Sequence, residues 1–288
     1  PAMRRAVPLS LPSWPTDRLT RSLGTSAPSP ETPLALVGRE GRKRLILAVN
    51  AAARAEGIAP GMAVAKAQAL VAGLDVRDAD PAGDDAALER LAIWALKRYS
   101  PIVAADPPDG LRLDMAGASH LLGGEESFVA DLARRLAETG IAARIAIAPT
   151  YGAAHGFARF GRSPDIIVDP GDLDAQLAPL PIAALRLDKV TIDALRRLGV
   201  DSIGELGAMP RAPLTLRFGP EVGRRLDQAY GRTGEPFELV EAPELIRVRR
   251  AFAEPIGAPE TLARYTGKLV VQLCEELERQ GLGARRLD

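Results

Sequence analysis

Short apolar runs alternate with amphipathic stretches through the first half of the chain, and the alternation predicts a mixed sheet with helices. Strand-like runs are AVPLSL (Ala6 to Leu11), PLALVG (Pro33 to Gly38), RLILAVN (Arg44 to Asn50), PIVAAD (Pro101 to Asp106), GLRLDM (Gly110 to Met115) and ARIAIAP (Ala143 to Pro149). GREGRK, between the second and third runs, reads as a hairpin turn. Leu88, Leu91, Ala92, Ala95 and Leu96 share one face of a 3.6-residue repeat, and Phe128, Leu132 and Leu136 share another, so helices are expected there. Strands and helices interleaved in this way, with one β-hairpin insertion, fit an α+β fold.

After about Asp169 the pattern changes. Residues 172–232 hold no convincing strand and break into short helices separated by Pro and Gly. In RLGVDSIGEL a helix should end at Gly199, Ser202 can N-cap the next, and Glu205 completes a capping box. Two short helices joined by such a turn form a helix-hairpin-helix-like unit, able to aim backbone N–H groups at a phosphate; a plain α-hairpin has the same signature. GEPFELVEAPE (Gly234 to Glu244) is acidic and proline-bearing, as a linker would be. IRVRRAFAEPI then predicts a strand, followed by a long helix with Leu262, Tyr265, Leu269, Leu273 and Leu277 on one face. This looks like the opening of a further α+β domain, and a longer gene product is expected.

Composition narrows the function classes. The 288 residues are 47% hydrophobic, enough for a sizeable core and more than one domain. Basic and acidic residues number 37 each, so no global field draws the chain to a polyanion, and any such contact must be local. Only five of the basic residues are lysines. The single cysteine, Cys274, excludes an intrachain disulfide and a multi-Cys zinc site, and its apolar helical setting predicts a buried thiol. No run of 18 apolar residues and no signal peptide is visible, so a soluble, cytoplasmic protein without membrane contact is expected. His120 reads as a surface-loop residue, and QLAPLP (Gln176 to Pro181) as structural rather than as a sliding-clamp peptide, for want of a terminal aromatic.

Several segments, in order, resemble the Y-family (UmuC/DinB-like) translesion DNA polymerases over nearly the whole chain. AVNAAARAEGIAPGMAVAKAQAL (Ala48 to Leu70) is similar to the fingers motif, in which a Tyr and an Arg hold the incoming triphosphate. Arg54, Gly57, Ile58, Gly61 and Met62 match, but Ala51 stands at the tyrosine position. RYSPIVAADPPDGLRLDMAGASHLLGG (Arg98 to Gly124) resembles the catalytic segment, with Asp109 at the family's Asp and Gly110 in place of the adjacent Glu. ARIAIAPTYGAAHGFARFG (Ala143 to Gly161) resembles the stretch whose lysine contacts the triphosphate, and His155 occupies that place. The first strand should carry Asp-x-Asp; here Ser10 and Pro12 fall on those positions, and Met3 to Pro15 contains no acid. LPIAALRLDKVTIDALRRLGVDSIGELGAMP (Leu180 to Pro210) resembles the thumb, and VRRAFAEPI the start of the little finger. The resemblance thus implies a palm at 3–22 and 78–168, fingers at 23–77, a helical thumb at 169–234 and an incomplete little finger at 243–288.

What has been lost matters most for chemistry. Polymerases use two divalent cations bridged by carboxylates to activate the primer hydroxyl and neutralise pyrophosphate. One carboxylate cannot place two ions about 4 Å apart, and Asp109 alone is left. Asp106 lies in a turn before two prolines, and Asp114 should point to the opposite sheet face. The expected catalytic set is therefore not intact, with no metal ligands and no cofactor. Mg²⁺ enters only under the alternative reading, an active translesion polymerase with a degenerate metal site.

Arg54 is a nucleotide-side remnant that could touch phosphate, cap its helix near Gly57, or face solvent. His155 could contact DNA or serve as a partly buried structural histidine. Residues 186–232 carry nine basic and six acidic side chains, and Arg196, Arg197, Gly199, Arg224 and Arg225 are the thumb's candidate DNA contacts. Arg247 and Arg249 alternate onto one strand face that could track the duplex backbone. The degraded motifs, TDRL and PPDGLRLD point to a non-catalytic branch of the family. For that branch the resemblance implies binding to primer-template or damaged DNA in damage-induced mutagenesis. It also implies an error-prone C-family polymerase, an ImuA/RecA-like accessory protein, and a sliding clamp engaged through a region beyond residue 288.

Overall fold

The computed structural model describes residues 5–41, 43–115, 119–235, 248–252 and 257–279. The chain divides into two compact units, Pro1–Val240 and Glu241–Asp288.

The first unit is built on two sheets. Its strands are β1 (Ala6–Ser10), β2 (Leu34–Glu40), β3 (Lys43–Val49), β4 (Asp75–Asp78), β5 (Val103–Asp106), β6 (Gly110–Asp114), β7 (Arg144–Ile147) and β8 (Asp165–Ile167). Its helices are α1 (Trp14–Leu23), α2 (Ala51–Ala55), α3 (Val64–Leu70), α4 (Pro81–Arg98), α5 (Glu125–Glu138), α6 (Tyr151–Phe160), α7 (Leu173–Leu177), α8 (Lys189–Arg196), α9 (Ile203–Ala208), α10 (Arg211–Phe218) and α11 (Pro220–Ala229). The larger sheet has the order β5-β6-β1-β7-β8, with β1 central and antiparallel to both neighbours. The smaller is β3-β2-β4, a hairpin with a parallel edge strand.

Alternation along β1 sends Val7 and Leu9 to one face, where they pack with Leu111, Leu113, Ile145 and Ile147 against Leu88 and Ala92 of α4 and Phe128, Leu132 and Leu136 of α5. α6 belongs to a different core. Its Ala153, Ala154, Phe157 and Ala158 pack with Leu185, Leu195, Ile203, Leu206, Val222 and Leu226 of the short helices that follow. Because α6 also lies along β1, this arrangement sets the helical segment beside the sheet. A third core joins Ala35, Val37 and Ile46 to Ala53, Val64 and Ala67.

The six expected strands of the first unit and the helices over α4 and α5 all form. β4 and β8 were not anticipated: both are short edge strands of three or four residues, one reading DVRD, whose pairing comes from the neighbouring strand rather than from apolar alternation. The capping box is present, with Ser202 Oγ accepting from Glu205 N at 3.2 Å and Glu205 Oε2 accepting from Ser202 N at 2.9 Å.

In the second unit, α12 (Pro259–Arg279) is the expected long helix. Two expectations are corrected. Residues 248–252 form no strand: Phe252 packs edge-on against Tyr265 at 4.8 Å and Arg250 lies 4.7 Å over the Tyr265 ring, so this stretch packs on its helix rather than on a sheet. The rest of the expected strand, including Arg247, lies outside the described residues. Cys274 is exposed, not buried. At about 100° per residue it stands off the half-buried stripe of Tyr265, Leu269, Leu273 and Leu277.

Candidate functional site

The face of the large sheet opposite α4 and α5 carries a row of polar groups, and α6 brings the other half. Tyr151, His155 and Arg159 are spaced by four, so they form one stripe along that helix. Thr150 starts it, accepting from Ala153 N at 3.1 Å.

At one end of the row stand the remnants named from sequence. Ser10 pairs with Gly110 across β1 and β6, and Leu11 N donates to Asp109 O at 2.8 Å, so Ser10, Asp109 and Gly110 are brought together. Between them lies a cation that belongs to the protein. Arg159 Nη1 donates to Ser10 Oγ at 2.7 Å and to Asp109 Oδ2 at 3.2 Å, and Nη2 donates to Asp109 Oδ1 at 2.8 Å. Its Nε donates to His155 Nε2 at 2.8 Å. That bond assigns the imidazole proton to Nδ1, which is buried without a partner among the described residues. Burial foremost, and then the charges of Arg159 and Arg186, push the His155 pKa down to about 3, so the ring is neutral at physiological pH.

These residues do not fit a divalent ion. Ser10 offers a hydroxyl and Gly110 no side chain at all, and both oxygens of Asp109 are already engaged by a guanidinium. Gly110 is also closed to a side chain: a Cβ there would sit 2.8 Å from Leu9 O and 3.3 Å from Arg159 Nη2. Among the described residues, no group of three or more His, Cys, Asp or Glu is arranged to hold a metal.

The other end of the row is a second network. Asp106 accepts from Arg112 Nη2 at 2.6 Å and from the Tyr151 hydroxyl at 2.5 Å. Burial pushes the Asp106 carboxyl up, but those hydrogen bonds together outweigh it and hold its pKa below the ordinary value. Asp106 is thus an ion-pair partner of Arg112. Arg112 lies 4.1 Å over the Tyr151 ring and Arg186 lies 5.0 Å from it. Arg186 grips Glu235 with both terminal nitrogens, and Arg225 Nη1 reaches the same carboxylate at 3.3 Å.

The other sequence candidates scatter. Arg54, at the end of α2, donates to Pro12 O at 2.8 Å and so ties the small-sheet region to the end of the first strand. Ala51 opens α2, whose N-cap Asn50 accepts from Ala53 N and Leu34 N. Arg196, Arg197 and Gly199 sit together at the α8–α9 turn, with Gly199 at φ 78° and Arg196 4.0 Å from Asp201. Arg224 and Arg225 on α11 share Glu221 and face the Arg112–Arg186 network instead. Arg249 is exposed in the second unit. The reading from sequence missed Arg112, Tyr151, Arg159, Arg186 and Glu235; the available signal was the four-residue spacing of Tyr151, His155 and Arg159 on a helix otherwise of small and apolar residues.

No described helix is long and apolar enough to cross a membrane. The impB/mucB/samB family model matches residues 27–157. Protein ImuB of Caulobacter vibrioides is 47% identical over 233 residues, covering 81% of this chain and 50% of that protein, so the chain spans about half the length of this relative. DNA polymerase IV of Ralstonia nicotianae is 29% identical, over 87% of this chain and 71% of that one. Among solved structures, DinB from Sulfolobus solfataricus superposes with a TM-score of 0.65 at 17% identity, covering 82% of this chain and 69% of that one. An insertion ternary complex of Dbh DNA polymerase gives 0.64 at the same identity, over 81% of this chain and 69% of its own. At that identity the likeness is one of fold. Sequence and fold together make the chain a homologue of the Y-family DNA polymerases.

Proposed function

We propose that this chain is a non-catalytic Y-family subunit that binds primer-template DNA in translesion synthesis and damage-induced mutagenesis. The observation that carries the reading is the guanidinium of Arg159, held by Ser10 and Asp109 where the family resemblance calls for metal-binding carboxylates. A fixed monovalent side chain can neutralise Asp109, but it cannot polarise a primer hydroxyl or follow a leaving pyrophosphate as a pair of divalent ions does.

On this reading the large sheet with α4 to α6 is the palm, the small sheet with α2 and α3 the fingers, and residues 169–234 the thumb. Residues 243–288 begin the little finger. The α8–α9 turn, with Arg196, Arg197 and Gly199, offers backbone N–H groups and positive charge to a phosphate. Partners follow from the likeness to ImuB: an error-prone C-family polymerase, an ImuA/RecA-like protein, and a sliding clamp met through sequence beyond residue 288, all in the cytoplasm.

Two measurements test the reading. Primer extension with Mg²⁺ or Mn²⁺ should give no incorporation by this chain; incorporation abolished by Asp109→Ala would establish the alternative, an active polymerase. Binding to primer-template DNA should weaken steeply as salt rises, and an absent or salt-insensitive interaction would remove the DNA-binding claim.

A further inference from the structure

Arg112 of β6, Arg186 before α8, and Arg224, Arg225 and Gln228 of α11 line a cavity of about 310 Å³, and Glu235 completes its wall. Four guanidinium groups meeting in one cavity is an arrangement suited to a phosphate. Three features set it apart from an ordinary surface ion pair.

First, Arg186 has φ 59°, the only non-glycine residue in the left-handed region among the described residues. The chain accepts backbone strain there to place a guanidinium where glycine is the unstrained choice. Second, Glu235 engages Arg186 through both carboxylate oxygens and also accepts from Arg225, which is how a phosphate would be held. Third, Arg186 Nε is buried and has no partner among the described residues. Both Glu235 oxygens are spent on Arg186's terminal nitrogens, which leaves Nε open to a further acceptor.

We propose that this cavity is a phosphate site whose arginines the protein keeps engaged with its own Glu235, and that a DNA backbone phosphate displaces that carboxylate. With Glu235 in place the four arginines face the carboxylates of Asp106, Glu221 and Glu235. Among the described residues, turning Glu235 out leaves four arginines to two carboxylates, an excess of positive charge for the incoming anion. The inference rests on the DNA-binding reading, and it adds that the free protein is held back by an internal competitor.

The test compares wild type, Glu235→Gln and the double variant Glu235→Gln/Arg225→Gln by fluorescence anisotropy on a primer-template duplex across a KCl series. Thermal shift with sodium tripolyphosphate gives a measurement independent of DNA. Glu235→Gln should bind DNA about tenfold more tightly, with a log–log salt slope steeper by about one, since each phosphate contact contributes about 0.9. It should also gain thermal protection from tripolyphosphate, and the double variant should lose both gains. If wild type binds DNA with a steep salt dependence while Glu235→Gln shows neither gain, the internal-competitor proposal is overturned and the DNA-binding reading stands. If no variant binds DNA but tripolyphosphate protects Glu235→Gln and not the double variant, the phosphate site stands, and both the DNA reading and DNA as its ligand fall. If neither probe binds any variant, both fall.

Discussion

Arg159 Nη2 lies 2.8 Å from Asp109 Oδ1, and this contact makes the arginine the counter-charge of Asp109. The same side chain holds Ser10 and His155, so its removal leaves three polar groups short of a partner. Charge-assisted hydrogen bonds of this kind are worth about 1.5–3 kcal/mol each. Arg159→Met should therefore lower unfolding stability by about 2–3 kcal/mol, read as a shift in the urea midpoint at constant slope. Arg159→Lys should recover only part, because an ammonium cannot span both carboxylate oxygens and His155.

Gly110 is the second point of closure. Even a methyl group there would meet Leu9 O at 2.8 Å, a backbone atom of the central strand. Gly110→Ala should cost about 1–3 kcal/mol by overpacking. Gly110→Glu should cost at least as much and give no incorporation in a primer-extension assay; a stable Gly110→Glu variant that incorporates nucleotide would contradict this account.

Stability against pH should be governed by two groups of opposite sign, the buried His155 and the half-buried Asp17. His155, pushed down to about 3 from 6.5, contributes stability that is full above pH 6.5 and is lost as pH falls toward 3. Asp17, pushed up to about 6 from 3.8 chiefly by burial, contributes stability that is full below pH 3.8 and is lost as pH rises through 6. Each can supply at most about 1.4 kcal/mol per pH unit, and between pH 6 and 4 they oppose one another. His155→Gln should therefore gain stability on acidification from pH 7 to 5, and Asp17→Asn should lose it, while wild type changes little. Denaturant melts at pH 7, 6 and 5 check all three.

Ser202 caps α9 within the α8–α9 turn. Ser202→Ala should cost about 1 kcal/mol in a thermal or urea melt. Replacement by Asp should restore most of that loss, because a carboxylate can accept from the same N–H.

The strands around the site were legible because β1, β6 and β7 carry apolar residues on alternate positions and sit at the centre of their sheet. That neither Ser10 nor Gly110 is an acid was legible too. What filled the gap was not. Arg159 is 50 residues from Asp109 and 149 from Ser10, and only the packing of α6 along β1 brings it there. The partners of Arg186 were hidden for a similar reason: Glu235 is 49 residues on, in a stretch that reads as a polar linker. Cys274 and the expected strand near Arg249 went wrong because periodicity reports which positions share a face, not what covers that face.

The seat of Arg159 also bears on how such a chain could change over generations. A new acid at position 10 would meet an arginine already within hydrogen-bonding reach, so Ser10→Asp would tighten an internal ion pair rather than recruit a metal. A new acid at position 110 would collide with the strand beside it. Neither single step moves toward catalysis, and removing the arginine first strands Asp109. On the proposed non-catalytic reading the arrangement behaves as a ratchet: catalysis would need at least three coordinated replacements, at positions 10, 110 and 159.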